Sequence, residues 1–382
     1  MVESNVDRVV DMPAAPDTKP IRVVIDAQSL SSDAAGSGIA TYTQCLIAGL
    51  ARRPDVEVVA LSESTITLPP RAIRAPITRR VKDPRTELME HLVRLPIDLH
   101  RVRQKGDVFH NPVFHAPVGM RTPWVQTLHD VIPLATPSAD AKFMTDRWKR
   151  FGPRYLKASA VIAISNHAAK EGIKYLGLDP AKVHVAHHGV DPIYVPDPAG
   201  PSDPPYLLLV NEFSMRKGYG EAFAVFDALV DAGYRHRLVV VGKISDLNRD
   251  KFNKVLGGAV HRDKIDVLEF VPDLLPVYQG ASMFLMTSHY EGFGLTPLEA
   301  MACGVPVVAF SNSSVTEVVE GGGQLVADGD VSVMITAVKK VLDSPAAAAE
   351  WRQQGLAHSR TFTWDASAAL HAEVYRSVAA HR

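Results

Sequence analysis

The stretch from Met283 to Phe310 constrains the fold more than any other, because its hydrophobic pattern changes three times within one short span. Met283-Phe-Leu-Met286 is an apolar run suited to a buried strand. Glu291-Gly-Phe-Gly294 is a polar loop whose glycines let backbone approach a ligand closely. Helix signals follow, with Thr296 as N-cap, Pro297 at the first helical position, Glu299 completing a capping box and Gly304 as the C-terminal stop. Val305 to Phe310 reads as a second buried strand. Such a strand–helix–strand unit belongs to a parallel sheet, and it puts the loop and the helix N-terminus at the carboxyl edge, where anions bind. Glu291 and Glu299 flank that expected anion site.

The same alternation runs through the rest of the chain. Residues 1–20 are polar and proline-bearing and read as a disordered lead-in. The fold is expected to start with the strand Ile21 to Ile25, followed by a small-residue loop and a helix from Gly38 to about Arg52. Gly36-Ser37-Gly38 lacks the third glycine of a dinucleotide fingerprint and stands about ten residues from the strand, so a dehydrogenase-type cofactor is not expected. Val56 to Leu61, Asp107 to Asn111, Trp124 to Leu128 and Ala160 to Ile164 are further strands. The last three lead into polar residues: His110 and Asn111, His129 and Asp130, Ser165 and Asn166. Polar side chains gathered at the carboxyl ends of parallel strands form a binding crevice. Pro192, Pro196, Pro198, Pro201, Pro204 and Pro205 then crowd a short interval and place an interdomain linker at 196–205. Tyr206 to Val210 opens a second domain, with a helix from Tyr219 to about Ala232 and strands at Arg237 to Gly242 and Ile265 to Val271. The expectation is an α/β chain of two doubly wound Rossmann-like domains, 21–195 and 206–362. A C-terminal helix over 363–382 would pack back on the first domain.

Composition removes several alternatives. The 382-residue chain is 46% apolar and 22% charged, with a net charge of -1, which argues against wholesale attraction to nucleic acid. Cys45 and Cys303 sit in apolar helical patterns, so neither a disulfide framework nor a cysteine metal site is expected, and a reducing, cytoplasmic setting fits. The N-terminus has no long apolar core and does not read as a signal peptide. Between Arg71 and Lys105, ten Lys or Arg stand against four Asp or Glu. This basic segment, 71–105, reads either as a solvated helical face or as a peripheral contact with an anionic membrane face or a lipid-linked acceptor.

Four segments in order now resemble one family. They are Leu128-His-Asp-Val-Ile-Pro133, His188-Gly-Val-Asp191, Arg216-Lys-Gly218, and Glu291-Gly-Phe-Gly-Leu-Thr-Pro-Leu-Glu299 continuing through Ala300 to Val308. From about Ile21 to Tyr375 the chain resembles the retaining glycosyltransferases of family 4, which have the GT-B architecture of two Rossmann-like domains facing a cleft. The resemblance implies that Arg216 and Lys217 hold a donor diphosphate. Glu291, Gly292, Phe293, Gly294 and Leu295 would meet the donor sugar, and Glu299 the ribose. His129 would face the reacting sugar from the first domain, Gly38 would lie near the phosphates, and Val271 and Pro272 would lie by the base. It further implies a co-substrate rather than a bound cofactor, GDP-mannose first and UDP-hexose next, with a glycan, lipid-linked or small-molecule acceptor.

The chain departs from the family at Ala40 and Thr41, where glycine and arginine are common, and at Val210-Asn211-Glu212, where a glycine-arginine pair is common. Asp328-Gly329-Asp330 has the form of a metal-binding motif but follows a glycine loop and reads as a turn, and His187-His188 lacks partners at ligand spacing, so no metal is expected. The same architecture also serves nucleotide-sugar epimerases and phosphorolytic enzymes. A binding protein without catalysis is the other alternative, and retention of Glu291, Glu299 and Lys217 argues against it.

Overall fold

β1 (Ile21–Asp26), β2 (Val56–Ser62), β3 (Ile73–Pro76), β4 (Val108–Asn111), β5 (Trp124–Leu128), β6 (Ala160–Ala163) and β7 (Val183–Val185) form one parallel sheet in the order β3-β2-β1-β4-β5-β6-β7. β8 (Tyr206–Val210), β9 (Arg237–Val241), β10 (Ile265–Leu268), β11 (Met283–Met286), β12 (Val307–Ser311) and β13 (Gln324–Ala327) form a second, in the order β10-β9-β8-β11-β12-β13. These come from a computed structural model that describes residues 19–30, 37–62, 66–76, 105–114, 121–137 and 142–381. Most of the lead-in, Gly36 and residues 77–104 of the basic segment lie outside the described residues.

Both sheets reverse direction of strand order at one place, between β1 and β4 in the first and between β8 and β11 in the second. At such a switch point the flanking loops diverge, leaving a crevice at the carboxyl edge. The strands are short and rich in Val, Ile and Leu because helices cover both faces, so alternation of polar and apolar residues is absent. Val23, Ile25, Val58, Val125 and Ile162 are buried in the first sheet, and Leu207, Leu209, Val240, Leu285 and Val308 in the second.

The chain crosses between the sheets twice, side by side. Outgoing Val190 donates its N–H to the returning Phe362 carbonyl at 3.0 Å and bridges to Thr363. Thr363 then caps the helix Trp364–Ala380 through Ala366 N at 3.1 Å. That helix lays Trp364, Ala368, Ala372 and Tyr375 into the core of the first sheet, against the helix Gly38–Arg52. The final residues in sequence therefore complete the hydrophobic core of the first domain.

Two local expectations are corrected. The helix expected to begin with Thr296 as N-cap begins two positions earlier: it spans Leu295–Ala302, with Gly294 as N-cap at φ 118 and no side-chain cap. Thr296, Pro297 and Glu299 therefore do not form a capping box, because the left-handed glycine already turns the chain and Glu299 falls too deep in the helix to reach back. The strand expected over Ile265 to Val271 ends at Leu268, where the chain turns outward and leaves Phe270 82% exposed.

Candidate active site

The loops after β8 and β11 emerge from neighbouring strands at the switch point of the second sheet. In the first loop, Met215–Lys217 makes a single 3-10 turn ended by Gly218 at φ 64. That turn carries Lys217 inward until its ammonium lies 2.5 Å from Glu291 Oε1 and 3.1 Å from Asn211 Oδ1. Arg216 approaches the other Glu291 oxygen at 3.5 Å and donates to the Tyr290 carbonyl at 2.6 Å. The two loops are also tied through backbone. Thr287 Oγ1 donates to the Lys217 carbonyl at 3.1 Å, and His289 N–H donates to the Arg216 carbonyl at 2.8 Å.

Gly218 is required by this passage, since a Cβ there would stand 2.0 Å from the Thr287 carbonyl oxygen. Gly218→Ala combines that clash with left-handed backbone strain and is expected to destabilise the fold by about 3 kcal/mol or more. Denaturant unfolding of the variant beside the wild type measures it.

The electrostatics of the pair follow from burial. Burial pushes the Glu291 carboxyl up, but Lys217 and Arg216 outweigh it and hold the group below its ordinary range. Burial pulls the Lys217 ammonium below its usual value, with Glu291 opposing the shift. An ammonium carries three donors, and Glu291 and Asn211 take two, leaving one to meet an incoming anion. Asn211 was singled out by the sequence only as a departure; in the fold it orients the lysine.

Glu299 lies on the buried face of its helix, 9% exposed, and accepts the Tyr278 hydroxyl at 2.7 Å. Burial lifts its carboxyl to about 7; the Tyr278 bond opposes this and the charge of Asp191 adds to it.

Residues of the first domain close on the glycine loop. Ser165 Oγ donates to the Gly292 carbonyl at 2.9 Å, and a Cβ on Gly292 would meet the His129 carbonyl at 2.6 Å. The Phe293 ring packs against His188 at 4.8 Å. His129 Nε2 lies 2.7 Å from the Pro112 carbonyl, which can only accept, so Nε2 carries the proton. Burial keeps the ring's pKa below the usual value, so Nδ1 is left as a neutral acceptor.

The structure thus gathers His129, Arg216, Lys217, Glu291, Gly292, Phe293, Gly294 and Leu295 at one place. It positions the other expected residues differently. Gly38 opens its helix with nothing within 4 Å of where a Cβ would stand. Val271 and Pro272 follow β10, two strands from β8. Asp330 caps the helix Val331–Leu342 through Val333 N, and Asp328 bonds His289 and Asn312, so this segment is a turn with both carboxylates engaged.

Two arrangements were not read from the sequence, although His110 of the second stood out there as a strand-end polar residue. Glu317, on the second domain, accepts from Asn166 N, Asn166 Nδ2 and His167 N at 2.8 to 2.9 Å, capping the helix Asn166–Leu176 of the first. These donors and His187 hold its carboxyl down at about 2, although burial pulls the other way. Beneath His129 runs a buried chain of hydrogen bonds. Because His371 Nδ1 must donate to the Ser367 carbonyl, its Nε2 accepts from Tyr42, which accepts from Thr127, which accepts from His110 Nε2, whose Nδ1 accepts from Tyr375. Every member is satisfied with both imidazoles neutral, in keeping with the lowering of both by burial.

Comparison with known proteins recognises both domains. The family description "Glycosyltransferase Family 4" matches residues 36–193, and "Glycosyl transferases group 1" matches 193–358. The D-inositol 3-phosphate glycosyltransferase of Actinosynnema mirum is 30% identical over 266 residues, 64% of this chain and 64% of that one. The O-antigen chain mannosyltransferase B of Escherichia coli is 25% identical over 279 residues, 68% of this chain and 72% of that one. The chain spans 50 to 64% of the length of the D-inositol 3-phosphate glycosyltransferases it matches first. Among solved structures, the sucrose-phosphate synthase of Thermosynechococcus elongatus superposes with a TM-score of 0.77 at 21% identity, over 95% of this chain and 100% of that one. The lipopolysaccharide glycosyltransferase WaaG gives 0.70 at 15%, over 93% and 99%.

Two doubly wound parallel sheets that superpose on these solved structures over more than nine tenths of the chain are the GT-B fold. Within that fold, a Glycosyltransferase Family 4 domain (residues 36–193) and a Glycosyl transferases group 1 domain (193–358) abut at residue 193.

Proposed function

We propose that the chain transfers a hexosyl group from a nucleotide diphosphate sugar to an acceptor hydroxyl with retention of anomeric configuration. The observation that carries this reading is the buried Lys217–Glu291 pair, flanked by Arg216, at the carboxyl edge of the second sheet. Departure of a nucleoside diphosphate places negative charge on its distal phosphate, and Lys217 and Arg216 are fixed cations for that charge. With these cations supplying the electrostatic stabilisation, no metal is required by the mechanism. In a front-side route, the bond from the anomeric carbon to the phosphate oxygen breaks and the acceptor oxygen bonds on the same face. The acceptor proton passes to the leaving phosphate oxygen. Glu291 is then a partner of the sugar hydroxyls and of Lys217, and Nδ1 of His129 an acceptor for a sugar hydroxyl. Intact-mass measurement of the protein with donor is expected to show no covalent adduct; a glycosyl adduct removed by Glu291→Gln would overturn the front-side route.

GDP-mannose is the proposed donor, ahead of a UDP-hexose. The likeness to an O-antigen chain mannosyltransferase and to the Rhizobium meliloti lipopolysaccharide core mannosyltransferase, 39% identical over 106 residues, supports that order. Both relatives bear names that also support a glycan or lipid-linked acceptor. Among the described residues no helix is long and apolar enough to cross a membrane. A thermal-shift panel decides the base: GDP at about 100 times its dissociation constant is expected to add roughly 2.7 kcal/mol of stability. A shift with UDP and none with GDP would reject GDP-mannose.

A further inference from the structure

The turn at Asp328, set aside as a metal site, has a different partner. His289 precedes Tyr290 and Glu291 in the loop after β11, and both of its ring nitrogens face carboxylates. Nδ1 lies 3.0 Å from Asp328 Oδ1, and Nε2 lies 3.1 Å from Glu221 Oε1, on the first turn of the helix Tyr219–Asp231. Carboxylates only accept, so satisfying both contacts takes a proton on each nitrogen. Burial opposes the charge, but the two carboxylates outweigh it and raise the ring above its usual value. Phe310 stacks on the ring at 5.7 Å. Asn312 Nδ2 donates to Asp328 Oδ1 and to the Ser288 carbonyl, both at 2.8 Å. A further charged neighbour, Arg216, offers His289 its carbonyl and turns its guanidinium to Tyr290 and Glu291.

We propose that His289, as an imidazolium bridging Glu221 and Asp328, is the positioning residue that holds the Glu291 loop in register with Arg216 and Lys217. The inference rests on the reading that these three residues take a nucleotide diphosphate sugar. The chain of contacts is continuous. The His289 ring joins the β11 loop to the helix that begins just after Lys217, while its backbone N–H fixes the carbonyl of Arg216. When the ring loses a proton, one nitrogen presents a lone pair to a carboxylate about 3 Å away, and that contact turns repulsive. The loop then parts from the helix start, and the cation pair is no longer aimed at the diphosphate.

Isothermal titration of GDP and UDP into the wild type, His289→Gln and His289→Arg, from about pH 7 to about pH 9.5, tests this. Wild-type affinity is expected to fall about tenfold toward the alkaline end, the worth of one charge-assisted hydrogen bond. His289→Gln, whose single, uncharged amide nitrogen cannot stand at both ring-nitrogen positions, is expected to bind at the low level throughout. His289→Arg, a permanent cation with several donors, is expected to hold the high level without the alkaline loss. An unchanged alkaline loss in both variants would assign the limb to Lys217 and overturn the proposal. Should His289→Arg fail to fold, His289→Gln decides alone, a flat profile supporting the proposal and a retained limb overturning it. If neither nucleotide binds the wild type at any pH, the donor-site reading fails and this inference falls with it.

Discussion

Lys217→Met is expected to lower kcat by about a hundred- to a thousand-fold, or roughly 2.7 to 4 kcal/mol of transition-state stabilisation, with nucleotide affinity changing much less. The asymmetry has a physical origin. On the proposed reading, the diphosphate would already meet Arg216 and backbone donors before bond cleavage, so the ground state would keep most of its contacts. Charge on the distal phosphate develops only as the sugar departs, and the buried ammonium meets that charge in a water-poor site. Methionine keeps the length and apolar stem of lysine, so the loss reads charge rather than packing. It also leaves Glu291 buried without its main partner, which is expected to destabilise the fold by about 3 to 5 kcal/mol. The double variant Lys217→Met with Glu291→Gln is expected to recover most of that stability and none of the rate. The pH dependence separates the two effects. In the wild type Glu291 is held below its unfolded value, so its contribution is present above about pH 4.5 and is lost as pH falls through the folded value. In Lys217→Met that acid-side loss is expected to shrink. Single-turnover kinetics and pH-dependent melts on the same three proteins provide both readings.

Glu299→Gln is expected to move stability and affinity in opposite directions. The carboxyl is lifted from 4.5 to about 7 by burial, so the folded protein favours its protonated form. Between those two values the folded state binds more protons than the unfolded one, and stability falls as pH rises through the window. The loss is complete above about pH 7 and amounts to at most about 3 kcal/mol, at 1.36 kcal/mol for each unit. Glutamine resembles the protonated form and can still accept from Tyr278, so the variant is expected to be more stable than the wild type at pH 8 and equal to it near pH 4. If Glu299 meets a ribose diol, the variant also loses charge-assisted bonds of about 1.5 to 3 kcal/mol, on the order of ten- to a hundred-fold in nucleotide affinity. Melts across pH and nucleotide titration at pH 8 check the two halves independently. An unchanged affinity would remove Glu299 from the nucleotide site and leave it a structural carboxyl.

Much of the local structure was legible in the residues. The helix Gly38–Arg52 and the strands Trp124–Leu128, Tyr206–Val210 and Met283–Met286 stand at their expected bounds, because an apolar run bounded by turn residues is a local signal. The errors were local too. Thr296-Pro-Leu-Glu299 has the form of a capping box, and a glycine in a left-handed conformation two positions earlier overrode it. Resemblance supplied most of the candidate site, but not the roles of Asn211, Glu317 or Tyr278, whose residue types are ordinary in any loop or helix.

Hydrophobic period and turn chemistry act over a few residues, so the sequence alone determined the order of strands and helices and hence two parallel sheets with their loops at one edge. Polar partners are chosen by the fold. Lys217 meets Glu291 across 74 residues, Asn166 meets Glu317 across 151, and Tyr42 meets His371 across 329. Such pairs form where the chain delivers a buried group that must be satisfied, and only the tertiary structure decides which group stands opposite. The glycine loop at Glu291 read as a candidate anion site from its residues; that its carboxylate holds a buried lysine in place, and that a histidine beside it grips two further carboxylates, follows from the packing of the second sheet.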